Sequence, residues 1–325
     1  MPLKREKDGT WTLHIASEEE EKRVGSENPI LWEAAPRYMT ILDRAFTKAK
    51  EKCESEFIFC LLRMKGHDVG WDPFETTLRG IPEIVDIAKN TTGEALNHLF
   101  LWIYGHILEA SEPYELIANL LDVANNETYR TCKFHNKNKT KKNPIGTPMT
   151  PGEKIAILKS MSKKVGLNDI VLPLEECWNR NLRNAIFHAD YSFHKDGISI
   201  LKPEQRTYPK ETVLTLVNRT LAYHYALTSL YEIHISSYKE PEVLMPHIER
   251  LDHPDFRFKT IIREGVGIVG LKDNWTEEDF KKGPQHLENG GRVTCCIGKI
   301  SLKEYELLQS NPYIKVLPPI QNVNL

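Results

Sequence analysis

The stretch Glu176-Cys177-Trp178-Asn179-Arg180-Asn181-Leu182-Arg183-Asn184-Ala185-Ile186-Phe187-His188-Ala189-Asp190-Tyr191 decides how this chain is read. Laid out at about 100° per residue, it gathers Trp178, Leu182, Ala185, Ile186 and Ala189 into one stripe, the width of a core-facing helix side. The opposite side carries Arg180, Arg183, Asn184, Phe187 and His188, with Asn184 and His188 one turn apart. The pattern predicts a single amphipathic helix, running from Asp169 to Ala189 and regular after Pro173. Its outer face groups a guanidinium, an amide and an imidazole around an aromatic ring.

That set of side chains suits a phosphodiester. A guanidinium offers a fork of donors to the non-bridging oxygens, where negative charge grows as phosphorus becomes five-coordinate, and it stays charged at any working pH. Histidine moves a proton near neutrality. RNA brings its own nucleophile, the 2′-hydroxyl, so such a site needs neither a metal nor a covalent intermediate on the protein. Asn184 is placed either to hold the imidazole tautomer or to bind a phosphate oxygen.

Arg183-Asn184-Ala185-Ile186-Phe187-His188 resembles the R-x4-6-H signature, in its R-N-x-x-x-H form, of the HEPN superfamily. In that family the motif ends a long helix, and another long helix follows, often after a β-hairpin. Here the 191–201 segment, centred on Lys195-Asp196-Gly197, carries a hairpin signal, and 208–237 reads as one long helix. The resemblance covers 169–237 directly. It implies a metal-independent endoribonuclease acting as a homodimer, with two motifs facing one another across a composite cleft and 2′,3′-cyclic phosphate ends left behind. It also implies a role in antiphage defence, abortive infection or toxin action. Residue by residue, Arg183 and His188 become the catalytic pair and Asn184 the polar residue after the arginine. One subgroup has a modified tyrosine two residues after the histidine; here Tyr191 stands three residues after it, which departs from that pattern.

Outward from the motif, the N-terminal half reads as helices. Asn28-Pro29 is a helix start, followed by apolar helical spacing from Leu31 to Phe46 with a possible kink at Pro36. An apolar run over 56–64 leads to a loop over 66–73. A helix is expected over 81–90, with Pro82 in its first turn. Thr91 and Glu94 form a capping-box pattern opening 93–110, Ser111 starts a helix through Val123, and Thr150-Pro151-Gly152-Glu153 starts one to about Lys164. Before them, Asp8-Gly9 and the alternating 10–15 segment suggest a hairpin. With the charged run 18–23 they are expected to form a surface arm. After Pro241 the texture changes to short β-type runs at 256–263, 266–271 and 292–300, with helical stretches near 276–282 and 301–310.

The expected architecture is therefore mainly α: an N-terminal arm over 1–27, a HEPN-like helical bundle with a β-hairpin insert over 28–240, and a small C-terminal α+β module over 252–325. Its 325 residues, 40 % hydrophobic and 27 % charged, fit ordinary globular domains and exclude a disordered tail. No apolar run approaches a membrane span, and the acidic start lacks a secretory pattern, so a cytoplasmic chain without membrane contact is expected. Six scattered cysteines form no disulfide framework and are expected to be reduced. With a net charge of −2, nucleic-acid contact has to be local rather than by bulk charge.

The strongest local patch is 130–142, where Arg130, Lys133, Lys137, Lys139, Lys141 and Lys142 stand without an acid. It is a candidate RNA-backbone tracker, with Phe134 available to stack a base and Arg180 adding charge from the motif helix. Gly265-Val266-Gly267-Ile268-Val269-Gly270 matches GxGxxG, but no helix follows to hold a pyrophosphate, so it reads as a β-turn. Cys132-x-x-His135 lacks a second metal-binding pair. His224 and His234 read as packed, hydrogen-bonded histidines. No metal or cofactor is expected. The predicted function is RNA cleavage by Arg183 and His188. The alternatives are a non-catalytic adaptor that binds RNA or a partner, and a toxin silent until a phage component or antitoxin-type regulator acts on it.

Overall fold

A computed structural model of the chain describes residues 3–14, 17, 28–64, 73–130, 133–134, 147–201, 204–248 and 257–273, with strand segments 293–295 and 298–300. The described chain is mainly helical with small antiparallel sheets. Its helices are α1 (Pro29–Lys52), α2 (Glu54–Met64), α3 (Pro73–Lys89), α4 (Gly93–Glu109), α5 (Ser111–Ala124), α6 (Pro151–Lys164), α7 (Leu172–Cys177), α8 (Arg180–His188) and α9 (Lys210–Ser237). The strands are β1 (Leu3–Arg5), β2 (Trp11–Leu13), β3 (Tyr191–His194), β4 (Gly197–Ile200), β5 (Arg206–Pro209), β6 (Val243–Leu244), β7 (Phe258–Arg263), β8 (Gly267–Asp273), β9 (Val293–Cys295) and β10 (Gly298–Ile300). Residues cluster into two units: Met1–Thr47, Thr77–Tyr114 and Phe134–Glu232 form one, and Lys48–Thr76, Glu115–Lys133 and Ile233–Leu325 form the other.

In the first unit, β1 and β2 pair across Asp8-Gly9, with Gly9 in the left-handed region at φ 85°. The arm is not loose. The Trp11 indole N–H donates to Asp43 at 3.0 Å, and Arg5 pairs with the same buried carboxylate at 2.8 Å. A buried carboxylate without such donors would cost several kcal/mol, on the order of the figures for unpaired buried charge, so the pairing fixes the hairpin to α1. The charged run 18–23 lies outside the described residues. Helix α1 starts as the sequence predicts, with the Asn28 side chain accepting the Leu31 N–H at 3.1 Å.

Two starts differ from the expectation. Helix α3 begins at Pro73, and Pro82 lies inside it, because Phe74, Leu78 and Ile81 extend the apolar helical spacing N-terminally. The Thr91 capping box does not form: its hydroxyl donates back to the Ile87 carbonyl at 2.8 Å, closing α3, and Thr92 occupies the N-cap of α4. The Thr150 box does form. Thr150 N–H and hydroxyl both donate to Glu153 at 2.8 Å, and the Glu153 N–H returns to Thr150 at 3.4 Å. The predicted hairpin appears as β3 and β4 around Lys195-Asp196, extended by β5. Gly197 has to be glycine, since a Cβ there would overlap the Tyr208 carbonyl.

The single helix expected over 169–189 is two helices. After α7 the chain breaks at Trp178 and Asn179, and the Asn179 side chain caps α8 by accepting the Leu182 N–H at 3.0 Å. Asparagine competes with helix propagation by bonding the backbone ahead of it, and here that local bond wins. Of the expected core stripe, Leu182 and Ala185 are buried and Trp178 and Ile186 half-buried. Ala189 is exposed and left-handed at φ 52°.

Within the second unit, Phe59 stacks on Tyr129 with ring centroids 6.3 Å apart and meets Phe258 of β7 edge-on at 5.3 Å. Buried Glu56 accepts the Tyr129 backbone N–H at 2.7 Å. Strands β6, β7 and β8 form an antiparallel sheet with a bulge between Ile261 and Ile262. The glycine-rich 265–270 segment is the β7–β8 turn and the start of β8, as read from the sequence. Gly267 lies against the Ile235 carbonyl, where a Cβ would overlap. The stretches 276–282 and 301–310 lie outside the described residues. Among the described residues, no helix is long and apolar enough to cross a membrane.

His224 of α9 is half-buried, and burial together with nearby His106 pushes its pKa down to about 4. The unfolded chain takes up this proton near the ordinary value of about 6.5 and the folded chain only near 4. Between those values the unfolded state binds more protons, so stability falls as pH drops from about 6.5 to about 4, by up to about 3 kcal/mol from this group. His224→Phe is expected to flatten the loss of stability between pH 6.5 and 4. Denaturant midpoints at several pH values measure it, and an unchanged slope would contradict the assignment.

Candidate active site

The site is built where α4 passes the α8–β3 segment of the first unit. At the break before α8, the buried Tyr104 hydroxyl donates to the Cys177 carbonyl at 3.0 Å and accepts the Asn179 N–H at 3.1 Å. The Tyr208 hydroxyl reaches the Asn179 side chain at 3.3 Å. Burial raises the Tyr104 phenol well above its ordinary range, so it remains a protonated donor. Just upstream, Glu176 accepts two bonds from Arg37, at 2.7 and 2.5 Å, and one from Tyr38 at 2.6 Å, which hold its carboxyl below the usual range. The entry to α8 is thus tied down by side chains from other helices.

One residue further along α4, Gly105 lets α8 come close. A Cβ at Gly105 would lie 3.0 Å from the Phe187 ring and 3.5 Å from Ile186 Cγ2. Phe187 is itself 49 % exposed. Over its ring, 4.9 Å from the centroid, lies the Arg183 guanidinium. Arg183 is not the free surface cation of the sequence reading. Its Nε and Nη2 both go to Glu109 at the end of α4, and Nη1 donates to Asn184 Oδ1 at 2.9 Å. Three of the five guanidinium N–H groups are therefore engaged, and its plane is fixed by the carboxylate, the amide and the ring.

His188 is the last residue of α8 and is exposed; among the described residues its side chain makes no hydrogen bond or ion pair. The helix ends there because Ala189 takes the left-handed conformation, with the Asp190 N–H returning to the Ala185 carbonyl at 2.9 Å. An alanine in this region costs about 1–2 kcal/mol relative to glycine. Tyr191, three residues after His188, has its hydroxyl 2.9 Å from His98 Nδ1 on α4, and His98 meets Phe193 edge-on at 4.7 Å.

The RNA-binding candidates distribute differently from the expectation. Arg180 and Arg130 are exposed. Lys133 is half-buried in an ion pair with Asp122, and desolvation pulls its pKa down to about 8, so it is not presented to a phosphate backbone. Phe134 is 1 % exposed and packs edge-on to Tyr114 at 6.5 Å, which removes it as a base-stacking surface. Lys137, Lys139, Lys141, Lys142, Cys132 and His135 lie outside the described residues. Among the described residues no group of three or more His, Cys, Asp or Glu is placed to hold a metal ion.

Sequence reasoning missed the contribution of α4. His98, Trp102, His106 and Glu109 follow one line at helical spacing, and that spacing was the available signal. Trp102 and His106 stack with centroids 4.4 Å apart and planes 12° from parallel. Comparison of the chain with protein-family models, with curated proteins and with solved structures finds no match.

The Gly105 contact yields a graded expectation. Gly105→Ala should change stability by less than about 1 kcal/mol, because the gain in helix propensity offsets a displacement of a few tenths of an ångström in a half-exposed ring. Gly105→Leu should cost about 1–3 kcal/mol by wedging α4 from α8. Denaturation curves of both variants decide it, and a severe loss on Gly105→Ala would mean that Phe187 is held more firmly than its exposure implies.

Proposed function

We propose that the chain is a HEPN-type, metal-independent endoribonuclease acting as a homodimer, with Arg183 and His188 as its catalytic pair. The observation that carries the reading is the exposed His188 at the end of α8, five residues after Arg183, whose guanidinium plane is fixed by Asn184, Glu109 and Phe187. In the reaction the 2′-oxygen attacks phosphorus and loses its proton, while the bond to the 5′-oxygen breaks and that oxygen gains one. The products are a 2′,3′-cyclic phosphate and a 5′-hydroxyl. On this reading the Arg183 guanidinium stabilises the charge that builds on the phosphorus oxygens, and His188 moves a proton. Two proton transfers ask for two such groups, which a second copy of the motif supplies across the exposed Phe187. The biological role proposed with it, on the resemblance of the motif to HEPN proteins, is antiphage defence or abortive infection.

His188→Ala and Arg183→Ala should each lower turnover by on the order of 10² or more while changing RNA affinity only several-fold. Cleavage should persist in EDTA and leave cyclic phosphate ends by mass spectrometry, and light scattering should give the mass of a dimer. Equal turnover in the His188→Ala protein would end the catalytic reading in favour of an adaptor.

The Glu109 pair favours a second reading, a ribonuclease held silent. A carboxylate on the catalytic cation competes with the phosphate for it. If the pair is a lock that a regulator opens, Glu109→Gln should raise turnover in the isolated protein. If Glu109 positions the guanidinium, the same substitution should lower turnover and leave affinity nearly unchanged. Steady-state kinetics of this one variant separates the two.

A further inference from the structure

The contacts between α4 and the α8–β3 segment run antiparallel. Glu109 meets Arg183, Gly105 meets Ile186 and Phe187, and His98 meets Tyr191 and Phe193. Trp102 lies between Gly105 and His98 on the same line of α4, so the register sets it level with His188–Asp190. Its neighbours Leu101, Ile103 and Tyr104 are buried, whereas Trp102 is 43 % exposed. An indole on a soluble helix is normally packed or hydrogen-bonded. This one has a face covered by the nearly parallel His106 imidazole and still leaves 43 % of the residue in solvent. Burial holds His106 below its ordinary pKa, so at neutral pH the ring behind the indole is uncharged.

We propose that Trp102, backed by His106, is a stacking platform for a nucleobase of single-stranded RNA beside the phosphate that Arg183 and His188 act on. The inference rests on the ribonuclease reading and adds to it the group that grips the base. A flat, braced π-face is what a base requires, and it accepts any base. Arg183 and His188 lie on the neighbouring helix α8, so a strand with one base on Trp102 runs its backbone toward the motif. The buried Phe134 cannot supply such a face, and Phe187 already carries the Arg183 guanidinium on its ring. Among the described residues at this end of α8, Tyr191 and Phe193 pack on His98, which leaves Trp102 as the braced ring offered to the substrate.

The test uses the full chain and a 2′-O-methyl oligonucleotide of about 12 nucleotides, which binds without being cut. Tryptophan fluorescence should be quenched on binding, and the quench should shrink in Trp102→Phe. Trp102→Ala should weaken binding by about 5- to 100-fold, whereas Trp102→Phe should stay within about 3-fold of the parent. An oligonucleotide lacking bases should bind the parent and Trp102→Ala equally. Should Trp102→Ala fail to fold, the Trp102→Phe quench and the parent's affinity for the base-bearing strand against the abasic one still decide. Equal affinity of parent and Trp102→Ala for the base-bearing strand overturns the proposal. So does a Trp102→Ala protein whose only change is loss of the dimer in light scattering, since Trp102 would then be a subunit contact. Cleavage of unmodified RNA in EDTA is scored separately. A parent that cuts RNA with no role for Trp102 in binding refutes the platform alone, whereas a parent that neither binds nor cuts refutes both.

Discussion

The phenol of Tyr104 is the constraint on which the candidate site depends. It bonds the last carbonyl of α7 and the N–H that precedes α8, so one buried side chain sets both sides of the break. Without a donor there, the Cys177 carbonyl would be left in the core unpaired, a cost of about 1–3 kcal/mol. The next residue, Gly105, removes the Cβ that would otherwise keep α8 at a distance. Adjacent residues of α4 thus fix where α8 begins and how near it lies. From those two facts follow the reach of Glu109 to Arg183 and the exposure of His188.

The electrostatics of the motif differ from what a cation on a helix surface would give. Arg183 is half-buried, so its pairing with Glu109 is screened less than an exposed ion pair would be. The same geometry that neutralises the guanidinium also orients it, since Asn184 and the Phe187 ring restrict its other directions. A lysine at 183 could not reproduce this arrangement, because an ammonium has neither the planar fork nor a face to lay on the ring.

How much of this was legible in the sequence depended on how local the deciding interaction is. The Asn28 cap, the Thr150 box and the Lys195-Asp196 hairpin each rest on bonds spanning a few residues, and each appears where the sequence puts it. The Thr91 box failed because its hydroxyl had an equally near alternative in the Ile87 carbonyl. The break at Asn179 was hidden because apolar periodicity continues through it, while the partner that favours the break, Tyr104, is 75 residues away. The residues of the motif could be read as a pattern, but the pairing of Arg183 with Glu109 and the line from His98 to Glu109 could not be assigned to it without knowing that α4 is the neighbour. Lys133 and Phe134 show the same limit from the other side: a basic, aromatic stretch reads as surface until Asp122 and Tyr114 are seen to take those two side chains inward.

The 74-residue separation of Glu109 and Arg183 has a kinetic consequence. Closing a loop of that length costs about 2 kcal/mol more entropy than closing one of ten residues, and a nine-residue helix such as α8 is too short to persist by itself. The oriented guanidinium therefore has no precursor in a partly collapsed chain: its orientation arises only when α4 and α8 dock. Its geometry depends on that docking, and anything that separates those two helices abolishes it.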